Sequence, residues 1–154
     1  MSQQEALVIG AGPAGLMAAQ ELAQAGLRVT IAEAMPSPGR KFLMAGKSGL
    51  NLTKDEPASQ FASAYGASLP PALSAALADF GPKKVQAWAE ALGQEVFTGS
   101  SKRVFPKAMK ASPLLRAWLR ALEAQGVQLN TRWRWTGWDE GGVTFDTPDG
   151  AQTL

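Results

Sequence analysis

Residues 10–15, Gly-Ala-Gly-Pro-Ala-Gly, set three glycines at the spacing G-x-G-x-x-G, and an acid, Glu33, stands some way beyond them. Each residue type has a job if this turn receives a dinucleotide. Gly10 permits a tight turn, Gly12 lets the backbone approach a pyrophosphate without a side chain in the way, and Gly15 lets a helix pack close on a strand. Pro13 suits the first helical position, where its missing N–H would have no intrahelical partner. Ala11 and Ala14 complete the turn with small side chains. A helix N-terminus here offers unpaired N–H groups and partial positive charge, worth about 0.3–1 kcal/mol to an exposed anion and up to about 2 kcal/mol when partly buried. Glu33, with Ala34 beside it, falls where a carboxylate accepts hydrogen bonds from ribose hydroxyls and repels a 2′-phosphate.

A second cluster, SPGRKFLMAGKSGLNLT, follows almost at once. The run Pro36-Ser37-Pro38-Gly39 predicts a turn, so Arg40 and Lys41 are expected on a loop near the ribose-binding end of the second strand. Two chemistries fit. Arg40 and Lys41 could neutralise phosphates, with Lys47 and Asn51 in the same stretch, while Gly39, Gly46 and Gly49 would let backbone come close to a flat ring system. The other reading is a solvated basic loop, and composition alone favours it. Lys102, Arg103 and Lys107 form a third cationic group, each taken singly a surface charge. In NTRWRWTGW, strand alternation would put Trp133 and Trp135 on one face and Arg132 and Arg134 on the other, the pattern of a half-buried strand whose tryptophans pack in the core. Arginines among tryptophans also suit nucleic acid, but fifteen Lys+Arg against thirteen Asp+Glu leave a net charge of only +2. No nucleic-acid partner is expected.

The chain has no histidine and no cysteine. That removes thiolate nucleophiles, dithiol redox chemistry, histidine bases and nearly every transition-metal site. No metal site is expected, no side chain stands out as catalytic, and any redox chemistry must come from a bound cofactor; the partner expected is a small-molecule substrate. The apolar run Ala6–Ile9 is short, ends at glycine and has no basic segment before it, so neither a signal peptide nor a membrane span is expected and the cytoplasm is the default.

The elements that would carry these residues are legible. Ala6–Ile9 predicts a strand buried on both faces, Pro13 opens a helix ended by Gly26, and Leu27–Ala32 predicts a second strand. Residues 55–80 predict a loop and then a helix from Pro71 to Phe80, and Pro82 opens another ended by Gly93, both with the apolar spacing of core packing. EVFTGSSKRVFP predicts a hairpin. Ser112 is expected to cap a helix with Pro113 at its first position and Leu115, Trp118, Leu119 and Leu122 on its buried stripe. A parallel strand at Val127–Leu129 and a three-stranded meander follow. With 154 residues and no internal linker, one domain is expected.

Taken together, GAGPAGLMAA, GRKFLMAGKSGLNLT and RVFPKAMKASPLLRAWL resemble the YhiN/BaiN-like family of NAD(P)/FAD-dependent oxidoreductases, flavoproteins of glutathione-reductase-like fold, from about Ala6 to about Gly150. The resemblance implies an α/β, Rossmann-like FAD/NAD(P)-binding domain with a parallel sheet, crossover helices and a small antiparallel β-meander. It implies FAD, with NAD(P)H as electron donor, where the glycine motif alone does not separate NAD from FAD. It further implies that the second cluster wraps the FAD pyrophosphate and flavin end, with Gly49 and Asn51 matched by alignment, and that backbone near Trp135 passes the adenine. Many relatives carry Gly-Arg-Cys-Asn where this chain has Ser48-Gly49-Leu50-Asn51, so no role of that cysteine or arginine carries over. Relatives continue past the position of Leu154, and this chain is expected to be an N-terminal portion of a longer protein. The rival readings are a plain NAD-binding dehydrogenase domain and a basic nucleic-acid-binding module.

Overall fold

The computed structural model describes residues 4–66 and 68–154. The first half of the chain runs β1 (Glu5–Ile9), α1 (Pro13–Gln24), β2 (Arg28–Glu33), α2 (Arg40–Ala45), β3 (Thr53–Lys54), α3 (Ala58–Ser63) and α4 (Pro71–Asp79). It continues with α5 (Pro82–Ala91), β4 (Val96–Thr98), β5 (Arg103–Pro106), α6 (Ala111–Ala124), β6 (Gln128–Thr131), β7 (Arg134–Asp139), β8 (Gly142–Thr147) and β9 (Gly150–Thr153). The chain divides into two compact units, residues 4–42 with 118–154 and residues 43–117.

The first unit holds a parallel sheet in the order β1-β2-β6. Its register pairs Ala6 with Val29, Val8 with Ile31, and Ile31 with Leu129, which places these apolar side chains on one face. Helix α1 covers that face, its Gly15 lying against Val8. The other face carries Leu7, Thr30 and Gln128, which line a crevice with Val143 and Leu154 of the antiparallel sheet β7-β8-β9. The meander therefore backs the parallel sheet. Phe145 is fully buried there and meets the ring of Trp133, centroids 5.6 Å apart. On the helical side, Trp118 Nε1 donates to Gln20 Oε1 at 2.8 Å, joining the C-terminal half of α6 to α1.

The strand expected to be buried on both faces is not. Ala6, Leu7 and Val8 are half-buried and Ile9 is 46% exposed, whereas Val29, Ile31 and Ala32 are buried. β1 is the edge of this sheet and β2 its centre, and position in the sheet rather than composition decides which apolar run is covered. Nor is NTRWRWTGW one strand. Arg132 has φ +62 and separates β6 from β7. A left-handed residue breaks the alternation, so the expected packing of Trp133 and Trp135 on a buried face holds only for Trp133, half-buried against Phe145, while Trp135 and Trp138 are 44% and 71% exposed.

In the second unit the expected hairpin forms, and β5 also pairs with β3 to give the order β3-β5-β4. The segment LNLT thus ends as an edge strand, with Leu52 N–H donating to the Val104 carbonyl at 2.9 Å. Helix α3 occupies part of what reads as loop. α4 forms, but no residue of it is buried, because an alanine-rich stripe has little side chain to bury. α5 buries Pro82 and Ala89. α6 begins at Ala111, so Ser112 and Pro113 lie inside its first turn rather than at a cap and first position, where proline is still tolerated. Its buried stripe is Leu114, Leu115, Ala117, Trp118 and Leu122.

Lys107 pairs with Glu95 across the base of the hairpin, and Lys107 N–H donates to the Glu95 carbonyl at 2.8 Å. The Lys107 hydrogen bond, then its charge, holds the Glu95 carboxyl below the ordinary carboxylate value. A lowered folded-state pKa contributes stability above the ordinary value, and that contribution is lost as pH falls through the lowered one. Both groups are exposed, so the effect on unfolding is small. Lys107→Met is expected to return the Glu95 titration, followed by NMR, to the ordinary range; an unmoved titration would detach the pair.

Candidate functional site

The glycine turn joins β1 to α1 in the first unit. Gly10 has φ +97 and its N–H donates to the Ala32 carbonyl at 2.8 Å, so the turn is fastened to the carboxyl end of β2. Gly12 is the N-cap of α1, in extended conformation (φ −78, ψ 178) with no side-chain cap. A Cβ placed there would meet nothing within 4 Å. A Cβ on Gly15 would instead overlap the Gly10 carbonyl oxygen. The three glycines thus do three different things: one turns, one leaves open space, one packs. The first-turn N–H groups of α1 have no intrahelical acceptor by construction, and Pro13 contributes none. The N–H groups of Ala14 and Gly15 are therefore left for an anion.

Glu33 sits at the end of β2, and its carboxylate is engaged on both oxygens. Oε2 accepts from Ala11 N–H at 2.7 Å and Oε1 from Met35 N–H at 2.8 Å. Ala11 is fully buried, so its N–H has no recourse to water. The Ala11 carbonyl accepts from Gly39 N–H at 2.8 Å. The peptide groups flanking this one residue are held by the acid at one end and by the following turn at the other. Trp133 N–H donates to the Glu33 carbonyl at 2.9 Å and Arg132 N–H to the Met35 carbonyl at 3.2 Å, bringing the β6–β7 connection to the same place. A carboxylate has about four lone-pair sites, so two backbone bonds leave room for sugar hydroxyls.

The structure brings Gly10, Ala11, Gly12, Pro13, Ala14, Gly15, Glu33 and Ala34 together at the carboxyl end of the parallel strands, the side on which open α/β sheets bind ligands. Arg40 and Lys41 are not on a loop. They are the first two residues of α2, both exposed, directly after Gly39, which is buried at φ +66. Trp135 turns its indole back onto its own strand, Nε1 donating to the Gly137 carbonyl at 2.8 Å. Gly49 and Asn51 belong to the second unit. Gly49 requires glycine, with φ +125 and the Met109 side chain 2.9 Å from where a Cβ would lie, and Asn51 is exposed. Among the described residues no group of three or more acidic or metal-binding side chains is placed to hold a metal, and no helix is long and apolar enough to cross a membrane.

Two features escaped the sequence reading. Glu33 was legible as a ribose ligand but not as a clamp on Ala11, since nothing in a side chain's type says it will bond a backbone group across the turn. By type Gly39 groups with glycines that approach a ring, whereas its N–H fastens the second cluster to the first. The signal available was its place behind Pro-Ser-Pro, where a rigid turn aims the next N–H.

Comparison with known proteins agrees with this fold. The profile of the HI0933-like protein Rossmann domain matches residues 4–154. No curated protein sequence matches the chain. Among solved structures, the 3-ketosteroid-delta4-(5alpha)-dehydrogenase of Rhodococcus jostii RHA1 superposes with a TM-score of 0.63 at 17% identity, over 98% of this chain and 44% of that one. A flavocytochrome c3 fumarate reductase gives 0.57 at 19% identity, over 97% of this chain and 31% of that one. CabE, an aromatic hydroxylase from angucycline biosynthesis, gives 0.52 at 22% identity, over 99% and 29%. At such identities the likeness is one of fold, and the chain spans less than half the length of each of these structures.

Proposed function

Because this chain belongs to the family of HI0933-like protein Rossmann domains, we propose that it is the FAD-binding part of a flavin-dependent oxidoreductase of the narrower YhiN/BaiN-like group. One observation carries the reading. A glycine turn with open space at Gly12 and first-turn N–H groups is locked to a carboxylate, Glu33, with acceptor capacity to spare. In this reading residues 1–154 are the N-terminal part of the FAD domain. Electrons come from NAD(P)H and go to a small-molecule substrate, with no nucleic acid or membrane partner, in the cytoplasm.

Bound FAD would supply hydride and electron transfer at its flavin ring. The residues of this chain bind and orient. Ala14 and Gly15 N–H groups and the α1 terminus meet the pyrophosphate, and Gly12 keeps a side chain from its path. Glu33 takes the ribose hydroxyls while holding Ala11, and the backbone near Trp135 lies beside the adenine. Arg40 and Lys41 add positive charge.

In this reading the longer protein, loaded with FAD and desalted, should keep a flavin absorption spectrum that NADH or NADPH bleaches without oxygen, whereas residues 1–154 alone should hold FAD poorly. A colourless protein that binds NAD through the glycine turn would support the dehydrogenase reading instead. Arg40→Ala should weaken FAD binding by about 0.3–1 kcal/mol at low salt and by less at high salt, since screening already reduces an exposed cation's contribution. Arg40→Lys should recover part of the loss, lysine lacking the planar fork that meets two phosphate oxygens. Equal affinities for all three proteins would leave Arg40 a solvated residue.

A further inference from the structure

β7 is an edge strand of its sheet, and its sequence is Arg134-Trp135-Thr136-Gly137-Trp138-Asp139. In a regular strand, Trp135 and Trp138 would point to opposite faces. Here the pairing with β8 shifts register between Trp135 and Gly137, so that Trp135 lies opposite Phe145 and Trp138 opposite Val143. Val143 and Phe145 share a face, and the two tryptophans therefore share it as well. The same bulge puts Arg134, opposite Asp146, and Asp139, opposite Gly142, together on the other face. Gly137, at φ +150, supplies the backbone that this re-aiming needs.

The apolar face that buries Phe145 thus runs outward to an indole pair, ring centroids 5.8 Å apart at 79°, left 44% and 71% exposed. The Trp135 indole is pinned by its bond to the Gly137 carbonyl, so this face is fixed rather than floppy. Reversed end for end, the strand complements itself. A two-fold axis between Thr136 and Gly137 sets Trp135 against Trp138 and Arg134 against Asp139, and it does so twice, as an isologous contact must. Because of the bulge, each of these pairs comes together on a common face. Arg134 forms no ion pair with a described residue, although Asp146 faces it. Asp139 Oδ1 accepts from Gly141 N–H at 2.7 Å and Oδ2 from Thr153 Oγ1 at 3.4 Å.

We propose that the β7 edge is a docking surface for a second copy of this chain, joined two-fold by the Trp135–Trp138 pairs at the centre and the Arg134–Asp139 pairs around them. The two strands meet edge to edge, with the Trp135–Trp138 pairs on one face and the Arg134–Asp139 pairs on the other. Aromatic side chains at the centre and charges at the rim are the usual division of labour in an interface. The proposal does not depend on which cofactor the glycine turn holds.

Sedimentation velocity across a wide concentration range tests it. Wild type should reach a dimer. Trp138→Ser removes an exposed side chain with little at stake for folding, and should weaken the dimer by about tenfold or more. Arg134→Asp and Asp139→Arg should each stay monomeric, because each sets like charges against like. Mixed, the two should associate, since each Asp139→Arg copy then offers cations to the acids of the other. A wild type that is monomeric throughout, or a dimer indifferent to Trp138→Ser and Arg134→Asp, would overturn the proposal; so would tryptophans covered only by some other molecule.

Discussion

Gly15→Ala is expected to be among the most damaging single substitutions in the first unit, costing about 3 kcal/mol or more, while Gly12→Ala keeps the fold and weakens ligand binding. Within a helix, replacing glycine by alanine ordinarily stabilises by about 0.5–1 kcal/mol. At Gly15 the added methyl would enter the Gly10 carbonyl oxygen, a backbone atom with no side chain to swing aside. Helix and strand must separate, or the turn must open. At Gly12 the backbone suits any residue and the methyl meets nothing within 4 Å, so the loss is only glycine's advantage over alanine at an N-cap, about 0.5–1 kcal/mol. That same methyl stands where a pyrophosphate would pass, and affinity should fall by about tenfold or more, roughly 1.4 kcal/mol. Thermal denaturation and cofactor titration of the two variants separate the effects. If both lost stability alike, the division of labour among the glycines would be wrong.

Glu33→Ala should weaken FAD binding by about 1.5–3 kcal/mol, the scale of hydrogen bonds to a charged group. The sequence alone suggests an intact fold after this change, but the structure adds a second cost. The buried Ala11 N–H would lose its acceptor, which is worth about 1–3 kcal/mol of stability even without ligand. Glu33→Gln should recover part of this, since one amide oxygen can serve one N–H while its NH2 opposes the other. Hydrogen exchange at Ala11 in the ligand-free protein reads the clamp directly. Unchanged protection in Glu33→Ala would remove it, whatever happens to affinity.

The glycine turn, its helix, β2 and Glu33 were legible because each rests on a local rule: a tight turn, a helix start, a β-branched run, an acid at a strand's end. The meander and the 96–106 hairpin were legible for the same reason. What failed were judgements that need a neighbour. The half-burial of β1 follows from its place at the sheet edge, which its own residues do not encode. The exposure of Trp135 and Trp138 follows from a left-handed Arg132 and a bulge at Gly137, and an alternating pattern hides both. Arg40 reads as loop because Pro36-Ser37-Pro38-Gly39 signals a turn, yet the turn ends at Gly39 and a short helix begins at once.

The most direct measurement is an NMR titration of isotopically labelled protein with FAD, followed residue by residue. The amides of Gly10, Ala11, Gly12, Ala14 and Gly15, with those of Glu33 to Met35, are predicted to shift and saturate together, and NAD should not displace the ligand. Amides at these positions that stay still while others move, or NAD that binds there as tightly as FAD, would contradict the assignment of the glycine turn and Glu33 to an FAD site.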